Sequence, residues 1–324
     1  MTARYDDAVV DALDRLRGVG YEFGPGFAAH GPMAAEALAV LGFTGDVAGW
    51  VERHKRSRRF HDAPERSAPL SAADEADWRS ALGRFDRVAD WTELFERELA
   101  ESPWRDVLAR WWPRLLPGMS AALTHGVIRT AHAVRGLAAS ADPAPVQVAE
   151  LAHGLGYWAA KYSGVPRHWG IVGGRRAGRQ LGPAAPSDAD VQAALSDLTA
   201  AAAGAYAAAE LRVPIPLVHA VTAPAAVRLV LPHLPADQHR PSYEAAREVS
   251  RGLVSVFGGR WNARPGEPPV AAPAAELAAA AVEVGDEHAI KLTEAAIRED
   301  ALRPDPRYAA AAAAILRAMG RPVS

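Results

Sequence analysis

The side chains that could do chemistry in this 324-residue chain are its 11 histidines and one of its few lysines. His288 and Lys291 are three residues apart, so on a helix they share one face, about 4.5 Å apart along the axis. Imidazole is the commonest metal ligand, and a chain without cysteine must build a transition-metal site from histidine, carboxylate or modified lysine. The pair is therefore a candidate for half of a metal site, although alone it would fit a core or surface role.

The remaining histidines divide by their neighbours in the sequence. Six lie among small or apolar residues: His30, His125, His132, His153, His219 and His288. One such histidine is typical of a hydrogen-bonded core residue, but burying six without partners would cost about 1–3 kcal/mol each. The other five have charged or proline-rich neighbours, which predict solvated side chains for His54, His61, His168 and His239 and a helix end at His233.

His125 and His132 are seven residues apart, so on one helix they share a face at about 10.5 Å. That spacing allows both to line one cavity but would strain joint binding of one metal. Arg129 occupies the i+4 position, where a second ligand would sit more easily.

Motifs of other cofactor and nucleophile chemistries are missing. The glycine-rich "GIVGGRRAGRQLGP" at 170–183 is neither a dinucleotide fingerprint nor a P-loop, and it favours an arginine-bearing loop. There is no G-x-S-x-G nucleophile elbow. A single E-x-x-H, from Glu150 to His153, falls short of the two that a ferritin-like di-iron site needs.

The elements that must position these residues are helices. Apolar spacing, N-cap residues and the Pro-before, Gly-after asymmetry predict a dozen or more helices, with negligible sheet. We predict an all-α fold and a single compact domain over 1–324. The predicted helices span 5–18, 30–42, 44–56, 72–84, 88–100, 104–115, 118–139, 146–163, 189–211, 216–234, 242–256, 273–284, 286–301 and 306–319. Only "WGIVGG" and "LRVPIPLV" carry strand-like runs.

The net charge and the lengths of the apolar runs limit the classes of partner that we expect. A net charge of −2 gives no basic face for nucleic acid or anionic lipid. The charged N-terminus has no apolar signal region, and no apolar run reaches the roughly 18–20 residues of a membrane span. We expect a cytoplasmic protein that binds neither nucleic acid nor membrane, and apolar helices that would allow a homodimer.

Five segments in order resemble the questin oxidase-like proteins, across about residues 20 to 300: "FGPGFAAHGPMAAEALAVLG", "LTHGVIRTAHAVRGL", "YWAAKYSGVP", "PLVHAVTAPAAVRLVLPHL" and "DEHAIKLTEAAIRED". The resemblance implies an oxygenase that uses O₂ on an aromatic polyketide, an anthraquinone or hydroquinone-like molecule. The expected reaction is a Baeyer–Villiger-type oxidation or a ring cleavage.

The resemblance also implies a non-haem Fe(II) held by histidines and by a lysine carboxylated on its ε-nitrogen. The matching ligands are His30, His125, His219, His288 and Lys291. Fungal members carry "HG-x-I-H", with a histidine where this chain has Arg129, so His132 becomes a further candidate ligand or a partner of the ligands. Tyr157 and Trp158 would form aromatic walls for the substrate. Arg129 would steady a substrate oxyanion or form a structural salt bridge.

Three other functions remain open from the sequence. One is an NADPH-dependent Baeyer–Villiger oxidase without a bound metal, and NADPH could also serve the iron enzyme as an external reductant. Another is a zinc-dependent hydrolase or lyase that uses the same histidines and lysine. The third is a non-catalytic helical binding protein whose histidines are core residues.

Overall fold

The computed structural model describes residues 2–163, 181–184, 187–209, 215–258 and 272–320. These residues form fourteen α-helices and one two-stranded antiparallel sheet, which confirms the all-α prediction. The strand candidate at 169–174 and most of the glycine-rich stretch lie outside the described residues. In the second candidate, residues 215–218 are helical.

The chain forms two compact units. Unit 1 comprises Met1–Val165 and Leu229–Pro235, and unit 2 comprises Pro166–Arg228 and Ala236–Ser324. The predicted single domain over 1–324 stays a prediction.

Unit 1 is built around helix α8, against which α5 and α7 pack. Its core contains four fully buried tryptophans: Trp91, Trp111, Trp112 and Trp158. The elements of unit 1 are α1 (Thr2–Arg15), β1 (Glu22–Phe23), β2 (Phe27–Ala28), α2 (Gly31–Val40), α3 (Val47–Ser57), α4 (Glu75–Ala81), α5 (Val88–Glu101), α6 (Trp104–Leu115), α7 (His125–Ala139) and α8 (Pro145–Ala160).

Unit 2 packs α14 against both α9 and α13. Its helices are α9 (Val191–Ala208), α10 (Ile215–Val230), α11 (His239–Phe257), α12 (Ala274–Val284), α13 (Glu287–Leu302) and α14 (Pro306–Ala318), and the last two residues of α10 are counted in unit 1. Residues Ile215–His233 are long and apolar enough to span a membrane, contrary to the expectation from the sequence. Because 72% of that segment is buried inside the protein, it has the character of a core helix.

Helices α7 and α8 approach closely at Gly126. A Cβ atom at this position would lie 2.6 Å from the Cβ of Trp158 and 2.7 Å from its Cα. Gly126→Ala is therefore expected to lower the free energy of unfolding by about 1–3 kcal/mol, because a backbone atom cannot move aside as a side chain can. Urea unfolding followed by circular dichroism measures the change.

Gly136→Ala is the matched control on the same helix. A Cβ there would meet only the Gln147 side chain, at 4.0 Å. Alanine has the higher helix propensity, so this variant should gain up to about 1 kcal/mol. A loss of stability at Gly136 comparable to that at Gly126 would contradict the packing argument.

Candidate metal centre

His30 and His125 form a buried pair in unit 1. His30 is the N-cap of α2, and His125 is the first residue of α7. Their side chains are held in place by the two helices, and the residues are only 3% and 6% exposed. The two Nε2 atoms are 2.7 Å apart, and the rings are nearly perpendicular. The pair joins residues that are 95 positions apart in the chain.

A strained turn positions His125. Ala122, Leu123 and Thr124 have φ angles of 47°, 52° and 67°, and they are the non-glycine residues with positive φ in the part of the chain described. The left-handed region costs roughly 1–2 kcal/mol per residue, and such strain concentrates at functional sites. The predicted continuous helix over 118–139 is therefore wrong, because α7 begins only at His125.

The same turn sets the tautomer of His125. Its Nδ1–H donates to the carbonyl oxygen of Ala122, so the lone pair of the neutral ring lies on Nε2. Nε2–H of His30 donates to that lone pair. Metal-bound histidines commonly donate their other ring N–H to a backbone carbonyl, as His125 does.

The spacing of the pair fits two ligands of one metal. Histidine nitrogens bind zinc at about 2.0–2.1 Å, so two neighbouring ligands of one ion lie about 3 Å apart. The observed 2.7 Å between the Nε2 atoms is close to this separation. A small outward movement, together with a shift of the His30 proton from Nε2 to Nδ1, would convert the hydrogen-bonded pair into a chelating pair.

Unit 2 holds the other predicted ligands around the start of α13. Asp286 caps this helix, and its carboxylate accepts from the backbone N–H groups of His288 and Ala289 at 2.8 and 3.2 Å. His219 on α10 is fully buried, and its ring centroid lies 5.9 Å from that of His288. Ligand atoms of Asp286, Glu287 and His288 lie within 4.8 Å of one another, which makes them a candidate metal-binding group.

The capping role of Asp286 affects its charge. Burial would raise the pKa of this carboxyl, but hydrogen bonds and the neighbouring His288 lower it to about 2. The ionised carboxylate lies 3.5 Å from Nδ1 of His288. Asp286 therefore fixes the start of the helix and places a negative charge beside the ring of His288.

Lys291 is the most unusual residue of this group. It is 2% exposed, and its Nζ atom has no hydrogen-bond partner among the described residues. Burial lowers the pKa of its amine to about 8, even though Glu287 and Asp286 act in the opposite direction. Most lysines titrate near pH 10.4, so this one releases its proton far more readily.

His132 lies in an ion-pair network around Glu36. Its Nδ1 is 2.7 Å from the carboxylate of Glu36, which Arg135 and the hydroxyl of Tyr5 also contact. Burial opposes ionisation of Glu36, but Arg135 and His132 lower its pKa to about 2. The role of His132 as a ligand stays a prediction. Glu36 is the lone charged residue of α2. A single carboxylate in an otherwise apolar helix indicates a buried ion pair, and this could have been read from the sequence.

Arg129 and Tyr157, the residues expected to contact the substrate, both have protein partners. Arg129 forms a buried, two-point ion pair with Glu150, at 2.6 and 2.8 Å. Tyr157 donates to Glu22 at 3.0 Å, and its ring stacks on that of Tyr21. The structure thus provides the salt-bridge alternative for Arg129, and contact with a substrate stays a prediction for both residues.

The burial of the other histidines separates correct from wrong predictions. His61 is exposed and His239 is partly exposed, while His168 lies outside the described residues. The prediction of a solvated His54 is wrong, because the residue is 4% exposed and stacks on Trp50. It lies one helical turn after Trp50, so it shares the inner face of α3 despite its charged neighbours. His153 is half-exposed, unlike the five other histidines in apolar surroundings.

The predicted ligands are thus divided between the units. His30 and His125 belong to unit 1, whereas His219, His288 and Lys291 belong to unit 2. Their membership of one centre stays a prediction.

No protein-family model matches this chain, and no curated protein matches it. The resemblance to the questin oxidase-like proteins rests on the five sequence segments alone.

Proposed function

We propose that this protein is a metal-dependent oxygenase that uses O₂ to oxidise a small aromatic substrate of the hydroquinone or anthraquinone type. Its metal ligands are His30, His125, His219, His288 and Lys291, with Fe(II) as the metal. The observation that carries the proposal is the buried amine of Lys291, which has a lowered pKa and no hydrogen-bond partner among the described residues.

A protonated lysine cannot bind a metal, because all three of its N–H groups are donors. With a pKa of about 8, Lys291 is a neutral amine in about a tenth of the molecules at pH 7, far more than for an ordinary lysine. The nitrogen lone pair can then form a bond to the carbon of CO₂ while one proton leaves, with no change in oxidation state. The product is a carbamate, an anionic oxygen ligand that behaves like a long glutamate.

Neighbouring residues of the chain fix the protonation and the position of the proposed ligands. The bond to Ala122 keeps Nε2 of His125 deprotonated and aimed at His30. Asp286 holds the start of α13, which carries both His288 and Lys291 on one face. Burial of these side chains excludes water, which strengthens the electrostatic interactions of the site.

An iron(II) ion bound by these groups would supply Lewis-acid and redox chemistry towards O₂. Four neutral imidazoles, which are borderline ligands, and one hard carbamate oxygen form a donor set that suits Fe(II).

The proposal is tested on protein purified without a chelating tag. We expect iron to co-purify, and we expect O₂ consumption in the presence of a hydroquinone such as 2-methylhydroquinone, measured with an oxygen electrode. Removal of the metal with a chelator should reduce O₂ consumption to the autoxidation rate of the hydroquinone, and added Fe(II) should restore it. The metal content is measured by mass spectrometry of the digested protein.

Boiled protein and a His125→Ala variant correct for autoxidation of the hydroquinone. Stoichiometric zinc without O₂ consumption would overturn the proposal in favour of a hydrolase or lyase. Consumption that requires NADPH and survives metal removal would favour the metal-free Baeyer–Villiger oxidase.

A further inference from the structure

Unit 1 contains a cavity of about 540 Å³ that the metal ligands do not line. Its size falls within the roughly 300–1,000 Å³ that small-molecule sites occupy. Arg17 and Arg66 line it and are 67% and 59% exposed, so the cavity reaches the protein surface. Most of the wall is apolar, including Leu13, Leu16, Val19, Pro145, Val146 and Ala149.

One side of the cavity is polar. Arg129, Glu150, His153 and Tyr21 line it together. The ring of His153 meets that of Tyr21 edge-on at 5.7 Å, and the guanidinium of Arg129 lies 5.4 Å from the centre of the same ring. Both Arg129 and His153 also face the carboxylate of Glu150. These contacts bring a guanidinium, an imidazole and an aromatic ring to one wall.

Two polar groups of this wall, on Arg129 and His153, are available to form hydrogen bonds with a ligand. Arg129 uses Nε and Nη2 on Glu150, and Nη1 has no hydrogen-bond partner among the residues that the structure describes. His153 lies 3.8 Å from Glu150, beyond hydrogen-bonding distance, and its side chain is 40% exposed. The hydroxyl of Tyr21 is already 2.7 Å from that of Thr92.

The charges of the wall decide what kind of polar group fits. Glu150 neutralises Arg129 through two hydrogen bonds, so the wall carries dipoles and a free N–H rather than a net positive charge. The two exposed arginines that line the cavity are each paired with carboxylates of the protein. A ligand carboxylate would therefore lie next to that of Glu150 and be repelled. A neutral hydroxyl can accept from Nη1 of Arg129 and donate to His153. The rings of Tyr21 and His153 favour an aromatic body over an aliphatic one.

We propose that this cavity is a binding site for a neutral aromatic alcohol, a phenol or naphthol, whose hydroxyl is held by Arg129 and His153. The proposal concerns binding alone, so it does not rest on the metal or on the oxygenase reaction. Glu150 acts as a positioning residue that fixes the guanidinium of Arg129.

The first test compares three ligands by isothermal titration calorimetry: 2-naphthol, 2-methoxynaphthalene and 2-naphthoate. We expect 2-naphthol to bind at least about tenfold more tightly than the methyl ether, which cannot donate a hydrogen bond. We expect 2-naphthoate to bind more weakly than 2-naphthol. Equal affinities for the phenol and its ether, or tighter binding of the carboxylate, would overturn the proposal.

The second test locates the site with variants. Ala149→Phe places a ring in the cavity and should weaken 2-naphthol at least about tenfold. Ala76→Phe, on the exposed side of α4, is the matched control and should bind as the unmodified protein does. His153→Phe keeps a ring of similar size, and it should reduce the affinity for 2-naphthol to that for the ether.

Thermal unfolding confirms that each variant is folded before its binding is measured. Unchanged affinity for 2-naphthol in folded Ala149→Phe and His153→Phe would overturn the site. The assays are run in the presence of EDTA, so a missing metal affects none of them. Failure to bind would leave the proposed oxygenase in place, and failure of the oxygenase assay would leave the cavity site in place.

Discussion

Lys291→Arg is expected to remove the bound metal and to lower the rate of O₂ consumption at least about 100-fold. Arginine keeps the positive charge, but its guanidinium does not lose a proton in proteins, so it can neither bind the metal nor add CO₂. Metal content and O₂ consumption are measured on the folded variant. Exposure of the unmodified, metal-bound protein to ¹³C-labelled CO₂ should give a carbamate carbon signal that the variant lacks.

The controls separate the role of the ligand from a general effect of the substitution. Lys55→Arg makes the same chemical change at a partly exposed lysine whose Nζ donates to the carbonyl of Arg15, and it should change neither metal content nor activity. Lys291→Glu supplies a shorter carboxylate and should retain part of the metal. Full metal content and full activity in Lys291→Arg would show that the reaction does not need this lysine.

Much of the fold could be predicted because its signals are local. The apolar spacing that defines the helices depends on neighbouring residues, and thirteen of the fourteen predicted segments correspond to single helices. The exception is 118–139, where the residues "ALT" at 122–124 adopt left-handed geometry although none of them is a glycine. The preference of a short segment can be overridden by packing, and the sequence contains no glycine at this turn to signal it.

The contacts of the candidate site are harder to predict than the helices, because they join residues that lie far apart in the sequence. Burial of His30, His125, His219 and His288 could be predicted from their apolar neighbours. The contact between His30 and His125 depends on how α2 and α7 pack, and no local pattern encodes a pairing over 95 residues.

The sequence also did not indicate which polar side chains pair with one another. The sequence predicts a substrate contact or a salt bridge for Arg129, but it indicates no partner, and it presents Glu150 only as part of E-x-x-H. Their ion pair emerges only when α7 packs against α8. A substitution that breaks this ion pair is expected to lower the free energy of unfolding more than the other single substitutions.

Glu150→Gln is expected to lower the free energy of unfolding by roughly 3–5 kcal/mol at pH 7, because it leaves the buried charge of Arg129 without its counter-charge. The substitution keeps the size of the side chain, so the effect reports charge rather than volume. Both partners are about 9% exposed, which limits the screening by water. Urea unfolding gives the difference between the variant and the unmodified protein.

The pH dependence of that difference has a definite sign. Burial would raise the pKa of Glu150, but Arg129 and His153 lower it to about 2, from an ordinary value of 4.5. The stabilisation by the ionised carboxylate is therefore fully present above about pH 4.5, and it is lost as the pH falls through about 2. The difference in unfolding free energy between the two proteins should shrink across this window.

Glu75→Gln is the matched control, since Glu75 forms an exposed ion pair with Arg79 whose side chains are 66% and 62% exposed. Exposed pairs contribute little, so this change should stay within about 0.5 kcal/mol. The double variant Arg129→Met with Glu150→Leu removes both charges and should recover much of the stability lost in Glu150→Gln. A double variant less stable than Glu150→Gln would show that these two side chains stabilise the fold through packing and hydrogen bonds that their charges do not explain.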